Sequence, residues 1–403
     1  MTTPDETTPD VTDRAARTAA SGERDPAGAT LLLRARRALL EGVIVPDAWV
    51  QAEGGVITAL GQGAPPRAPD VEVDGTLAPG FVDLHCHGGL GGAFDDDEPD
   101  WDAILGLHEA HGTTRQAISL VTAPLPDLLP RVRAAAARAA ADPAVLGVHL
   151  EGPFLADSHR GAHDPAALQA PTPASVEALL EAGDGQLLQV TIAPELPGAL
   201  DAIGSFADAG VRVAVGHTGA DAATVRAAFD AGATLLTHAC NGMPPMHHRS
   251  PGPLAAALLD ERVTLEAIAD GEHVAPEMLA VLLQAAPGRV ALVSDAMAAA
   301  GMPDGDYRIG GLDVRVEAGL PRLAGGGSIA GSTLTLDHAV RVLVAAGAPL
   351  AVALDAAARA GADAVDRPDL GRLRAGAAAD LVALDDDLAV TGVWRDGHRI
   401  ASR

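Results

Sequence analysis

The sequence predicts an α/β protein: a (β/α)8 TIM-type barrel inserted into a small β-sandwich domain built from both chain ends. Three observations predict it. First, short apolar, β-branched runs alternate with Ala-rich runs of helical period through the middle of the chain, the pattern of parallel strands joined by helices. Second, there are eight such runs, at 81–87, 115–121, 145–150, 187–193, 211–216, 234–238, 264–269 and 290–294, and eight βα units close a barrel. Third, both chain ends have a different texture, short strands broken by Gly, Pro and Asp. A doubly wound open sheet is the competing architecture, disfavoured because no glycine-rich dinucleotide turn follows the first strand.

Taken in order, residues 1–27 are polar, acidic and rich in Thr, Pro and Asp, and predict a disordered tail with no apolar signal segment. Residues 28–80 supply the first part of the small β domain, with strand-like runs at 31–33, 42–45, 48–51 and 56–60. Residues 81–368 form the barrel, with helices expected at 128–141, 222–231 and 276–286. Residues 369–403 return to the small domain through runs at 380–384 and 390–394 and a turn at Arg395-Asp396-Gly397.

Hydrophobic residues make up 48% of the 403, enough for a large core, but aromatics only 2%, so packing rests on Ala, Val, Leu and Ile. The net charge of −26 argues against nucleic acid or an anionic membrane as partner, and an anionic substrate would need a local basic pocket. No apolar run is long enough to span a membrane. Cys86 and Cys240 make no disulfide framework. The expected compartment is the cytoplasm. All 28 basic residues are arginine, which excludes a Schiff-base lysine, a Walker lysine and a carbamylated bridging lysine.

Polar residues collect at the strand ends, where barrel active sites lie. His85 and His87 end the first strand two residues apart, on one face, and can be read as a chelating pair or as packed histidines. Glu151 ends the third strand, His217 the fifth, His238 the sixth and Asp295 the eighth; Asp270 follows the seventh, with His273 beyond. Burying so many polar groups at one relative position would be costly without a metal or hydrogen bonds. Glu151, His217 and His238 would make a three-ligand site with an open position for water. Such donors suit Zn²⁺ first, then Fe²⁺, Mn²⁺ or Co²⁺, one or two ions per subunit. Asp295 is placed to take a proton from that water and deliver it to a leaving group.

These residues resemble the amidohydrolase superfamily and, within it, the N-acetylglucosamine-6-phosphate deacetylases, over almost the whole chain from about residue 30. The likeness is carried by Pro79 to Asp83, His149 to Phe154, Thr191 to Glu195, Gly216 to Thr218, Thr237 to Met243, His248 to Gly252, Ile268 to Gly271, Ser294-Asp295 and the closing Gly376 to Val382. It implies Glu151, His217 and His238 as metal ligands, with His85 and His87 for a second ion, and Asp295 as acid/base. It implies that His163 contacts the sugar and polarises the amide carbonyl. Ala162, Asn241, Gly242, Arg249, His273 and the Ile329-Ala330-Gly331 loop are then substrate contacts, with Arg249 reaching the phosphate across a homodimer interface. The implied reaction is hydrolysis of the acetamide of N-acetyl-D-glucosamine 6-phosphate. The galactosamine epimer is the nearest alternative, followed by a cyclic amide or N-acyl amino acid, or a binding barrel without catalysis. Gly242 stands where the family would lead one to expect alanine. Cys86 and Cys240 read as packing groups. His108, His111, His159, His247, His248, His338 and His398 read as surface or locally hydrogen-bonded, and glycines 325–327 as a flexible hairpin.

Overall fold

The computed structural model describes residues 30–325 and 327–402; the tail expected over 1–27 lies outside the described residues. All eight expected barrel strands form. They are Phe81–Asp83, Thr113–Val121, Val145–Glu151, Leu187–Ile192, Arg212–Val215, Leu235–Leu236, Thr264–Ala267 and Val290–Leu292, parallel and in sequential order. They are almost continuously buried, as strands covered on both faces must be, and mix apolar residues with buried polar ones such as Arg115, Ser119, His149, Gln189 and Glu266. The seam between the last strand and the first closes just beyond their ends. Asp295 N–H donates to His85 O at 2.8 Å and His87 N–H to Ala296 O at 2.8 Å. Helices Leu350–Ala357 and Arg359–Ala364 pack over that seam. There, any side chain at Gly361 would bring a Cβ within 3.0 Å of Val82 O.

The first, sixth, seventh and eighth strands stop two or more residues before the ends of their expected runs. The first leaves the ladder at Asp83, whose buried Oδ1 accepts from the N–H groups of His85 and Ser294, both at 3.2 Å. The sixth stops at Leu236 because His238 turns at φ +27°. Even so, the alternation of side chains beyond Asp83 leaves His85 and His87 on one side.

The chain ends build a seven-stranded sheet whose strands from residues 30–79 meet those from 381–402 where Val71–Pro79 pairs with Leu381–Leu384. The sheet folds back on itself. Edge strand Val56–Gln62 bonds the segment entering Leu381–Leu384: Ile57 N–H to Ala377 O at 2.8 Å and Ala379 N–H to Gly55 O at 2.8 Å. One face carries its own apolar cluster, from Val50 and Ile57 to Leu381 and Trp394. Arg115 clips the sheet to the barrel: its buried guanidinium donates to Asp380 at 2.6 Å and to Asp396 at 2.7 Å.

A three-stranded antiparallel sheet, Gly305–Ile309, Leu312–Glu317 and Leu320–Leu323, follows the eighth strand and was not anticipated. Its signal was legible. Leu312, Val314 and Val316 alternate with Asp313, Arg315 and Glu317. The helices at Leu125–Ala141, Ala222–Asp230 and Pro276–Ala285 fall where their periodicity placed them. No helix among the described residues is long and apolar enough to cross a membrane.

Candidate active site

The strand ends converge on one buried cluster. Glu151 closes its strand, whereas His217, His238 and Asp295 sit on turns at φ +46°, +27° and +48°. Left-handed backbone is costly for residues with side chains, so the surroundings must hold these turns. For His217, Glu195 does so: its carboxylate accepts from the Thr218 hydroxyl at 2.5 Å and from Gly219 N–H at 2.6 Å. The outcome is a triangle of donor atoms. His217 Nε2 lies 2.9 Å from Glu151 Oε1, and His238 Nε2 lies 3.1 Å from that oxygen and 3.0 Å from His217 Nε2.

The acceptor on the far side of a ring shows which nitrogen carries the hydrogen when that ring is neutral. His217 Nδ1 faces the carbonyl of His159 at 2.8 Å, an acceptor only, so Nδ1 carries the hydrogen and Nε2 presents a bare lone pair. His87 Nδ1 likewise faces Ser119 O at 3.2 Å, and His85 Nδ1 faces Glu266 Oε2 at 3.4 Å. In the neutral rings, bare lone pairs aimed at one another and at a carboxylate repel unless a positive charge, proton or metal ion, stands among them. A tetrahedral ion with nitrogen ligands at about 2.0–2.1 Å sets its donors about 3.3 Å apart, close to the size seen here. The residues therefore fit a divalent ion.

A second donor group adjoins the first through the other oxygen of Glu151. His85 and His87 Nε2 are 3.0 Å apart, His87 Nε2 is 3.1 Å from Glu151 Oε2, and His85 Nε2 is 3.5 Å from Oε1. Asp295 Oδ1 stands 3.4 Å from His87 and 3.5 Å from His85, and His163 Nε2 is 3.3 Å from Glu151 Oε2. Burial pushes Glu151 up, but His85, His163 and His217 more than offset it and hold the carboxyl well below its usual range. Asp295 is lowered in the same way, burial opposing and His85 and His87 prevailing. Conversely, burial lowers His87, yet Asp295 and Glu151 carry it up to about 9. The two carboxylates thus demand positive charge in this pocket, as protons or as an ion.

Residues 76–400 match the amidohydrolase family. The chain belongs to the amidohydrolase family. An N-acetylgalactosamine-6-phosphate deacetylase of Escherichia coli O157:H7 is 39% identical over 379 residues, covering 92% of this chain and 99% of its own. An N-acetylglucosamine-6-phosphate deacetylase of Vibrio furnissii is 35% identical over 382 residues, 91% of this chain and 94% of its own. A solved structure of a variant N-acetyl-D-glucosamine-6-phosphate deacetylase from Mycobacterium smegmatis, in complex with N-acetyl-D-glucosamine-6-phosphate, is 45% identical. Its TM-score is 0.90, with 93% of this chain and 100% of that chain covered. Amidohydrolases are metal-dependent hydrolases, and the donor triangle is of that kind.

Other predicted residues of this amidohydrolase fall at the rim of the cluster. Gly242, at φ +61°, lies so close that a Cβ would stand 3.0 Å from His217 Nδ1; the alanine expected there would press on that imidazole. Asn241 beside it is half-buried. The Ile329 to Gly331 loop touches the Asp295 turn, where a Cβ at Gly331 would lie 3.1 Å from Asp295 O. Ala162 and Ala330 pack with Val121 and Met297 in a small apolar cluster. His273 is held by Asp270 at 2.6 Å, which raises its pKa against the effect of burial. Arg249 is not gathered into the cluster. It lies in the exposed segment 245–250 and bonds His248 at 2.8 Å.

Cys86 points away from His85 and His87, its Sγ 3.3 Å from His108 Nε2, and burial pushes the thiol well up, as befits a packing group. Cys240 is pushed up to about 11 by burial. His108 corrects the surface reading: it is buried, its Nε2–H directed to Gly88 O at 3.1 Å, because the helix face of Ile104 and Leu105 carries it into the core. A polar layer beneath the cluster was missed. His149 bridges Ser119 at 2.9 Å and Thr191 at 3.0 Å, and Glu266 accepts from Gln189 at 2.7 Å. Its signal was a carboxylate inside the apolar run Leu265-Glu266-Ala267-Ile268, where an uncompensated charge should not occur.

Proposed function

We propose that this amidohydrolase removes the acetyl group of N-acetyl-D-glucosamine 6-phosphate, yielding acetate and D-glucosamine 6-phosphate in amino-sugar catabolism or recycling. The observation that carries the reading is the buried triangle of Glu151 Oε1, His217 Nε2 and His238 Nε2 with Asp295 beside it. The substrate is supported by the names of relatives that match nearly the full chain. Glu151, His217 and His238 would hold a divalent ion, Zn²⁺ first by donor type, and His85 and His87 would hold a second. When bound, such an ion acidifies a water and polarises a carbonyl.

The chain's own residues do the rest. Asp295, kept ionised, accepts the proton of the attacking water as the new C–O bond forms. It returns that proton to the amide nitrogen as the C–N bond breaks, so the amine departs neutral. His163 is kept neutral because burial lowers its pKa, and its buried Nδ1 has no partner among the described residues, so a polar atom of the substrate can satisfy it. Asn241, Gly242, His273 and the Ile329 to Gly331 loop line the sugar. In a homodimer Arg249 offers its planar fork to the phosphate bound by the neighbouring subunit. A phosphorylated sugar does not leak across membranes, which makes the cytoplasm the working compartment.

The test is acetate release from the 6-phosphates of N-acetylglucosamine and N-acetylgalactosamine, with metal analysis of the same preparation. Faster release from the gluco epimer, abolished by chelator, is expected. No release from either by ion-loaded protein would defeat the reading. Glu151→Ala should lose the ion itself, and full occupancy in that variant would remove the proposed site.

A further inference from the structure

Glu266 is a fully buried carboxylate in the barrel interior, on strand Thr264–Ala267. Its Oε1 accepts from Gln189 at 2.7 Å. Its Oε2 accepts from two groups that belong to different donor sets. One is the Nδ1–H of His85 at 3.4 Å, and the other is the backbone N–H of His238 at 3.4 Å. No arginine among the described residues compensates it. A buried carboxylate so weakly paired is costly to keep, which suggests that it is retained for what it orients.

What it orients follows from the geometry. With Nδ1–H of His85 engaged, Nε2 is left bare and aimed at His87 Nε2, 3.0 Å away, and Glu151 Oε1, 3.5 Å away. If the ring were turned over or its hydrogen moved, a hydrogen would point into that gap. His87 has a separate support in the Ser119 carbonyl, and His217 has one in the His159 carbonyl. His85 depends on Glu266 alone for its Nδ1 among the described residues, whereas His238 meets Glu266 only through its backbone N–H, which leaves its ring nitrogens untouched.

We propose that Glu266 is a positioning residue that sets the orientation and tautomer of His85, and thereby decides whether the His85/His87 group takes up its ion. The inference rests on the reading that both groups bind ions. Carboxylate support of a ligand imidazole is typically worth 10–100-fold in metal affinity. Glu266→Gln keeps the shape and removes the charge. Apo protein would be titrated with Zn²⁺ against a competing chelator, with His87→Asn as the comparison that removes a ligand outright.

Wild type should bind two ions. Glu266→Gln should keep the tighter one unchanged and bind the weaker one about 10–100-fold less well, the pattern of His87→Asn in milder form. If Glu266→Gln cannot be obtained folded, Glu266→Asp, which keeps the charge and shortens its reach, should show the same selective loss. Two ions bound as in wild type, or equal weakening of both, would overturn the role of Glu266 alone. A wild-type chain that takes up a single ion would overturn the two-ion reading and this inference together.

Discussion

At the scale of single residues, the same buried setting drives neighbouring groups in opposite directions. Asp295 is pulled down by His85 and His87 although burial opposes it, so it is ionised and ready to accept a proton. Asp295→Asn keeps the shape but cannot shuttle that proton. Turnover should fall about 10²–10⁴-fold with ion content unchanged, and assay beside metal analysis checks both parts. His108 shows the reverse effect: with no carboxylate bonded to it, burial lowers it to about 4. Its folded pKa lies below the unfolded value of about 6.5, so the unfolded chain takes the proton first as pH falls. The stability it contributes is complete above pH 6.5 and is lost on the way down to about 4, at most about 3 kcal/mol. Urea unfolding of wild type and His108→Gln from pH 7 to 4.5 should show a shallower acid slope for the variant, and parallel slopes would refute it.

At the scale of elements, turns and clips matter more than strand length. The sixth strand is two residues long, yet it places His238 because backbone bonds hold the chain on either side of it: Thr237 N–H to Val215 O at 2.9 Å and Ala239 N–H to Glu266 O at 2.7 Å. Arg115 plays the corresponding part at the opposite end of the barrel, near the start of strand Thr113–Val121. Its guanidinium joins that strand to Asp380, Asp396 and the Pro143 carbonyl. Arg115→Ala strands Asp380 as a buried, unpaired charge, at a cost of about 3–5 kcal/mol. A lower melting temperature with kcat nearly unchanged is expected, since the base of a barrel serves stability and its top the chemistry. A selective loss of kcat at unchanged melting temperature would contradict that division.

At the scale of the whole molecule, the proposed substrate sets an acidic ligand against an acidic protein. The net charge is −26 and there is no lysine, so arginine is the apt cation for the proposed phosphate, and Arg249 lies exposed outside the buried cluster. If it serves the partner's site, mixing inactive Arg249→Ala and Asp295→Asn dimers under conditions of subunit exchange should restore roughly a quarter of wild-type turnover, because each hybrid regains one complete site. No recovery would place Arg249 with its own subunit. The barrel, its eight strand positions and the histidines that converge at their ends were legible in the sequence because hydrophobic alternation and strand-end polarity are local signals. The sheet at 305–323 has that local signal too, but it was absorbed into the expected barrel. Glu266, Gln189 and His149 were harder to place, since the partners that explain their burial lie on other strands. The sequence by itself determined which residues can bind an ion and shuttle a proton, because donor chemistry belongs to the side chain. Only the tertiary structure decided which nitrogen of His85, His87 and His217 is bare in the neutral ring, because that depends on the acceptor the fold brings to the other side of the ring.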